Sequence, residues 1–144
     1  MGAAFFIVLN SEDPGFDTSV DGKALSRHSV RINSVAAKLG LKALEEYCSQ
    51  SHEDARAMMA SLMGLENEDD LPPDAQETLA NMPPEQWYDA DQGIEYAKQM
   101  ADHIRQNPQA VKDADAVLYD FDSMLTVLKK AKEHKLKWHL QVDF

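Results

Sequence analysis

The sequence predicts an α+β fold: a single helix-dominated domain with a small sheet formed by the N-terminal and C-terminal strands. Two observations carry this prediction. The C-terminal stretch LKWHLQVDF alternates apolar and polar residues, the pattern of a half-buried strand. The N-terminal stretch AAFFIVLN is apolar throughout and rich in aromatic and branched residues, which suits a strand covered on both faces. Because helical patterns lie between them, the two strands are expected to pair and to be covered by helices.

The strands are expected to supply four side chains to one core, namely Phe6, Val8, Trp138 and Leu140. The polar positions of the last strand, His139 and Gln141, would then form the solvent-exposed face of the sheet. A residue rises about 3.3 Å along a strand, so His139 and Asp143 would lie roughly 13 Å apart and cannot form a catalytic pair.

Four helices are predicted between the strands. The loop SEDPGFDTSVDG precedes the first helix, which begins after Asp21 as N-cap, runs through Leu39 and ends at Gly40. The segment from Leu41 to Cys48 fits either a turn of helix or a strand. In the second helix Ser51 and Asp54 have capping-box spacing, and an apolar stripe is expected to face the core; its members are Met58, Met59, Leu62 and Met63.

Residues 65–88 contain two Pro-Pro pairs and many acids, which predicts irregular chain with at most a short helix near Asp74. Asp89 and Gln92 then have capping-box spacing before a third helix that ends at Asn107. The fourth helix has acids in its first turns and lysines in its last, as the helix dipole favours. Its predicted buried stripe is Val111, Ala114, Val117, Leu118, Phe121, Leu125 and Leu128.

Length and charge limit the classes of function. A chain of 144 residues is about one domain long, so we expect one globular domain over residues 1–144. A net charge of −11 argues against nucleic acid as a partner, because phosphate binding depends on Lys and Arg. No apolar run is long enough to span a membrane, and no signal peptide is evident, so we expect a cytoplasmic protein without a membrane partner. A single cysteine, Cys48, fits a reducing compartment.

Motifs for metals and cofactors are incomplete. Asp17, Ser19 and Asp21 have the spacing of a calcium loop, but His28 stands where the loop requires glutamate. The stretch HEDAR lacks the second histidine of a zinc hydrolase, and no phosphate-binding or dinucleotide-binding loop is present. We therefore predict no cofactor, no metal and no catalytic residue.

The acidic middle of the chain is the strongest functional candidate. From Glu53 to Asp91 there are eleven acids and one base, Arg56. Within it Trp87 and Tyr88 stand beside Asp89 and Asp91, which suits an aromatic contact surface ringed by charge, although such aromatics also anchor loops to a core. Binding is accordingly predicted for Trp87, Tyr88, Asp69, Asp70, Asp89, Asp91, His139 and Gln141.

Two hypotheses of function follow. In the first, this is a small acidic cytosolic interaction protein, without enzymatic activity, that binds a basic protein partner as an immunity-type inhibitor does. In the alternative, it is a small-ligand or metal-dependent enzyme that uses His139 with carboxylates from another element. A deep pocket at His139 would favour the enzyme, and a solvent-facing His139 would disfavour it.

Overall fold

The computed structural model describes residues 3–143 and confirms a helix-dominated α+β fold. Its two strands are β1 (Ala4–Leu9) and β2 (Trp138–Asp143). Its α-helices are α1 (Lys23–Arg27), α2 (Ser29–Lys38), α3 (His52–Leu62), α4 (Pro73–Ala80), α5 (Ala90–Gln106) and α6 (Ala114–Glu133). Short 3₁₀ turns occur at Leu44–Tyr47, Glu68–Asp70 and Pro108–Ala110. Within residues 3–143, no helix combines the length and apolarity needed to cross a membrane.

The terminal strands pair with each other in antiparallel orientation, as the sequence predicts. Leu9 lies opposite Trp138, and Ile7 lies opposite Leu140. These side chains are buried, so Trp138 and Leu140 take the core positions expected of them.

The predicted core positions in β1 are wrong by one residue. Phe6 and Val8 are only half-buried and lie on the second face of the sheet, opposite Gln141 and His139 respectively. A strand that is apolar at every position carries no alternation that could distinguish its two faces. The register with β2 therefore decides which face of β1 packs into the core.

The chain divides into two compact units. The first combines the residues up to Cys48 with those from Trp87 onward, and the second consists of Ser49–Gln86. The prediction of one globular domain over residues 1–144 stays a prediction. In the first unit α5 and α6 pack against each other, and the largest fully buried side chains there include Trp138, Tyr96 and Phe121.

The N-terminus of α1 is capped from a distance. Gly22, not Asp21, is the N-cap residue, and it makes no side-chain cap. A β-carbon at Gly22 would overlap the carbonyl oxygen of Phe5, and the residue has a φ of +68°, so the chain needs glycine there. The buried carboxylate of Asp120 in α6 accepts hydrogen bonds from the backbone N–H groups of α1. The predicted Asp21 cap is therefore wrong.

Local structure between the first strand and the second unit also differs in part from the prediction. The helix expected from Leu25 to Leu39 is broken at His28 into α1 and α2. The segment from Leu41 to Cys48, for which the sequence allowed either helix or strand, contains a part of each. It forms the 3₁₀ turn Leu44–Tyr47, and Cys48 then makes a parallel bridge to Leu140.

The second unit has a small core of short side chains. Ser51 caps α3 as predicted, since its hydroxyl accepts a hydrogen bond from the N–H of Asp54 at 3.1 Å. The predicted stripe is only partly right: Met58 and Met59 are half-buried, and Met59 packs against the core of this unit. Leu62 and Met63 are 78% and 50% exposed, so their predicted core positions are wrong. The core instead contains Ala55, Ala60, Leu71, Ala75 and Leu79.

The boundaries of α5 are close to those expected. Asp89 is the N-cap residue, although its side chain makes no capping hydrogen bond, so the predicted capping box does not form. Asn107 is the C-cap residue, in agreement with the predicted end. In α6 the buried residues include Val117, Phe121 and Leu128 from the predicted stripe, whereas Leu118 and Leu125 are only half-buried.

Candidate functional site

Tyr88 connects the start of α5 to β2 and to the turn before the second unit. Its N–H donates to the carbonyl oxygen of Trp138 at 2.8 Å, and its carbonyl accepts from the Trp138 N–H at 3.0 Å. Its hydroxyl donates to the Glu46 carbonyl at 2.8 Å, and its ring meets Tyr47 edge-on with centroids 5.4 Å apart. These contacts make Tyr88 an anchor of the first unit.

Trp87 covers the histidine of the last strand. The ring centroids of Trp87 and His139 lie 4.4 Å apart, and His139 is fully buried. The expectation of a solvent-exposed His139 is therefore wrong. The alternation in β2 showed which residues share a face of the strand. It could not show that Trp87 would pack over the face that carries His139. His139 is thus inaccessible to a ligand in this conformation.

Gln141 lies on the same face of the sheet as His139. It is half-buried and stands opposite Phe6 in the strand pair. The Nδ1 atom of His139 lies 3.2 Å from the carbonyl oxygen of Leu140. Both residues thus belong to a face that is mostly covered.

Asp89 and Asp91 are both paired with lysines near the C-terminus. Lys132 Nζ lies 2.7 Å from Asp91 Oδ1, and Lys137 Nζ lies 3.7 Å from Asp89 Oδ1. All four side chains are at least half exposed, so each pair contributes no more than about 1 kcal/mol to stability. The pairs nevertheless neutralise part of the negative charge expected around Trp87.

The second unit carries most of the net charge of the protein. Residues 49–86 include nine acids and one base, Arg56, whereas the full chain has 25 acids and 14 bases. Asp69 and Asp70 belong to the exposed turn Glu68–Asp70. Asp69 also lines a cavity of about 380 Å³ together with His52, Arg56 and Glu68. The structure thus places these two predicted residues on an open acidic surface.

A group of donors on α2 was missed by sequence reasoning. Arg31, Ser34 and Lys38 follow one another at spacings of three and four residues, which places them on one side of the helix. They line a cavity of about 120 Å³ together with His103 of α5 and Gln109 of the turn Pro108–Ala110. The spacing was available in the sequence, but the residues from the other two elements were not.

Metal and nucleophile candidates have ordinary structural partners. Asp17 Oδ1 accepts a hydrogen bond from the Ser19 N–H at 2.9 Å, and His28 Nε2 lies 3.1 Å from Asp113 Oδ2. Among the described side chains, those of residues 3–142, no three from His, Cys, Asp or Glu converge on a position that could hold a metal ion. Burial raises the pKa of Cys48 to about 11, which keeps it a weakly reactive thiol at neutral pH.

Comparison with known proteins identifies no relative. No family model matches the chain, and neither the curated proteins nor the solved structures include a significant match.

Proposed function

We propose that this chain is a cytoplasmic interaction protein that binds a basic protein partner through its second unit, residues 49–86. The carrying observation is the concentration of charge in that unit, which has nine acids and one base and hence a net charge of −8 out of −11. A surface with this charge attracts a basic partner and repels an acidic one. A reducing cytoplasm also fits the one free cysteine, Cys48.

Exposed apolar side chains support a docking role for the same unit. Leu62 and Met63 are 78% and 50% exposed at the end of α3. Two residues separate them from the stretch Glu66–Asp70, in which four of five residues are acidic. An apolar anchor beside charged residues is the usual anatomy of a specific protein interface.

The anchor in this proposal differs from the aromatic pair that the sequence suggested. Tyr88 is fully engaged within the first unit, and Trp87 packs on His139. Asp89 and Asp91 are also paired with lysines. Leu62 and Met63 are therefore better placed to meet a partner. The enzymatic alternative is not favoured, because a buried His139 is inaccessible to a substrate.

Charge and apolar contact should affect different rate constants. Exposed charges steer the encounter, and at about 0.15 M ionic strength they are screened beyond about 8 Å. Apolar anchors lose contact only when the complex separates, so they act mainly on dissociation. In this way the protein would act as an inhibitor of a basic partner, by covering a basic surface with an acidic one.

The test begins with affinity capture from the source cytosol, using the wild-type chain and two charge-reversed variants. Asp69→Lys with Asp70→Lys changes adjacent exposed acids of the second unit, and Glu12→Lys with Asp13→Lys makes the matched change in the first unit. We expect a basic partner that the wild type and the Glu12/Asp13 variant retain and that the Asp69/Asp70 variant loses.

Surface plasmon resonance with the captured partner then separates the two contributions. The Asp69/Asp70 variant should lower the association rate about tenfold at low salt, and Leu62→Ser should raise the dissociation rate about tenfold. Equal loss with both charge variants would reduce the effect to net charge alone. The proposal would be contradicted if neither Leu62→Ser nor added salt changed the rates of association and dissociation.

A further inference from the structure

The side of α2 described above carries two cavities that share Arg31 and Ser34. The smaller, of about 120 Å³, has five polar side chains in its lining: Arg31, Ser34, Lys38, His103 and Gln109. Each of them can donate a hydrogen bond, and none is a carboxylate. The larger, of about 350 Å³, adds Arg27, His28 and Val30.

The two cations of the smaller cavity, Arg31 and Lys38, have no ion pair among the side chains that the structure describes. Among the side chains of residues 3–142, no carboxylate lies within 4 Å of the charged nitrogens of Arg31 or Lys38. Arg105, by contrast, bonds both oxygens of Asp122 at 2.6 and 2.7 Å. In a chain with 25 acids, a cavity with two bases and no acid is a local site of positive potential.

The larger cavity is also lined by basic side chains, Arg27 and Arg31, but it differs from the smaller one in two of its members. The Nε2 atom of its His28 lies 3.1 Å from the carboxylate of Asp113, so this nitrogen already has a partner. Its apolar member, Val30, is 85% exposed and offers a surface to an uncharged group. The larger cavity can therefore hold the organic part of a molecule whose anionic group lies in the smaller one, where Arg31 and Lys38 meet three further hydrogen-bond donors.

We propose that this groove, lined by Arg27, Arg31, Ser34, Lys38 and His103, binds a small phosphomonoester. The phosphate lies in the smaller cavity and the organic part lies over Val30. A guanidinium bonds two phosphate oxygens at once, and an ammonium adds a point charge to the third. A carboxylate has only two oxygens and one charge, so it would leave some of these donors unused. This site belongs to the first unit and does not depend on the proposed protein partner.

Isothermal titration with two probes, inorganic phosphate and phenyl phosphate, tests the site. We expect saturable binding of both, with phenyl phosphate the tighter. Arg31→Gln and Lys38→Gln should each weaken both probes by about tenfold, the loss expected for a charge-assisted hydrogen bond. Lys129→Gln removes the same charge from an exposed position on α6 and should leave both affinities unchanged.

Two further comparisons locate the parts of the ligand. Val30→Ser should reduce the advantage of phenyl phosphate over inorganic phosphate and leave inorganic phosphate unaffected. Benzoate, which replaces the phosphate by a carboxylate on the same ring, should bind more weakly than phenyl phosphate. Circular dichroism of each variant verifies that these surface changes preserve the fold.

Three results would overturn the proposal. The first is the absence of saturable binding of either probe to the wild type. The second is an equal loss from Lys129→Gln and Arg31→Gln, which would reduce binding to non-specific charge attraction. The third is benzoate binding as tightly as phenyl phosphate, which would remove the assignment of the smaller cavity to phosphate.

Discussion

Replacing Trp138 with alanine should destabilise the first unit by about 3–5 kcal/mol. The side chain is fully buried, its ring stacks on Tyr47 with centroids 5.0 Å apart, and its indole N–H donates to the Asp89 carbonyl at 3.0 Å. Burial of an aromatic area of about 200 Å² at about 25 cal/mol per Å² accounts for about 5 kcal/mol. The lost hydrogen bond adds about 1 kcal/mol, and partial collapse of the cavity offsets some of the total.

Urea denaturation followed by far-ultraviolet circular dichroism measures this loss without relying on tryptophan fluorescence. Trp138→Phe keeps an aromatic ring but removes the N–H donor. Its free energy of unfolding should therefore lie between that of the wild type and that of the alanine variant. Trp87→Ala, at a half-buried position, should cost less than Trp138→Ala. A loss below about 1 kcal/mol for Trp138→Ala would refute the packing described here, since no fully buried tryptophan is that dispensable.

Three other variants give distinct expectations for urea denaturation. In Gly93→Ala the new β-carbon would lie 2.6 Å from the Trp138 ring, so we expect a cost of about 1–3 kcal/mol, and a neutral result would contradict that contact. Tyr96→Phe removes a buried hydroxyl that has no hydrogen-bond partner within residues 3–143, so stability should stay unchanged or rise by up to about 1 kcal/mol; a clear loss would reveal a partner. Burial raises the pKa of Asp120, although backbone N–H groups act against this. Its contribution to stability is therefore complete below the unfolded pKa and is lost as pH rises through the folded pKa, so Asp120→Asn should destabilise more at about pH 4 than at pH 7; the reverse order would contradict the sign.

The sequence predicted the elements whose signal is local. Alternation in β2 identified Trp138 and Leu140 as core residues, and the spacing of Ser51 and Asp54 identified the start of α3. These signals depend on residues a few positions apart, so a periodic pattern is enough to detect them. The fold class followed because each end of the sequence carries a strand pattern and most of the chain between them carries helical patterns.

What the sequence could not show depends on partners distant in the chain. The face of β1 that is buried is set by its register with β2, and Asp120 caps a helix almost a hundred residues away. His139 is buried because Trp87 lies over it, which the alternation of β2 alone could not reveal. In the second unit Leu62 is exposed although its periodicity suggests a core position, and the small core there includes Ala55 and Ala60 of α3 instead.

The candidate binding residues also divide into those that local sequence placed correctly and those whose surroundings depend on distant parts of the chain. Asp69 and Asp70 lie on an exposed acidic surface, as their local sequence suggested. Asp89 and Asp91 were assigned to that surface by proximity in sequence, but each meets a lysine from the last part of the chain. Ion pairs of this kind link segments that no short-range pattern connects, so their effect on a charged surface emerges only in three dimensions.

The two proposals concern different units, and this makes them separable by their response to charge. Reversal of Asp69 and Asp70 raises the net charge by four, and so does reversal of Glu12 and Asp13. A less negative protein repels a phosphate dianion less, so both double variants should raise the affinity for phosphate slightly at low salt. A change specific to the Asp69 and Asp70 variant would instead indicate coupling between the acidic surface and the α2 groove. Coupling of binding free energies is reciprocal, so inorganic phosphate would then have to shift the affinity for the basic partner by the same factor. Equal effects of the two double variants, with a partner affinity indifferent to phosphate, would establish that the two surfaces act independently.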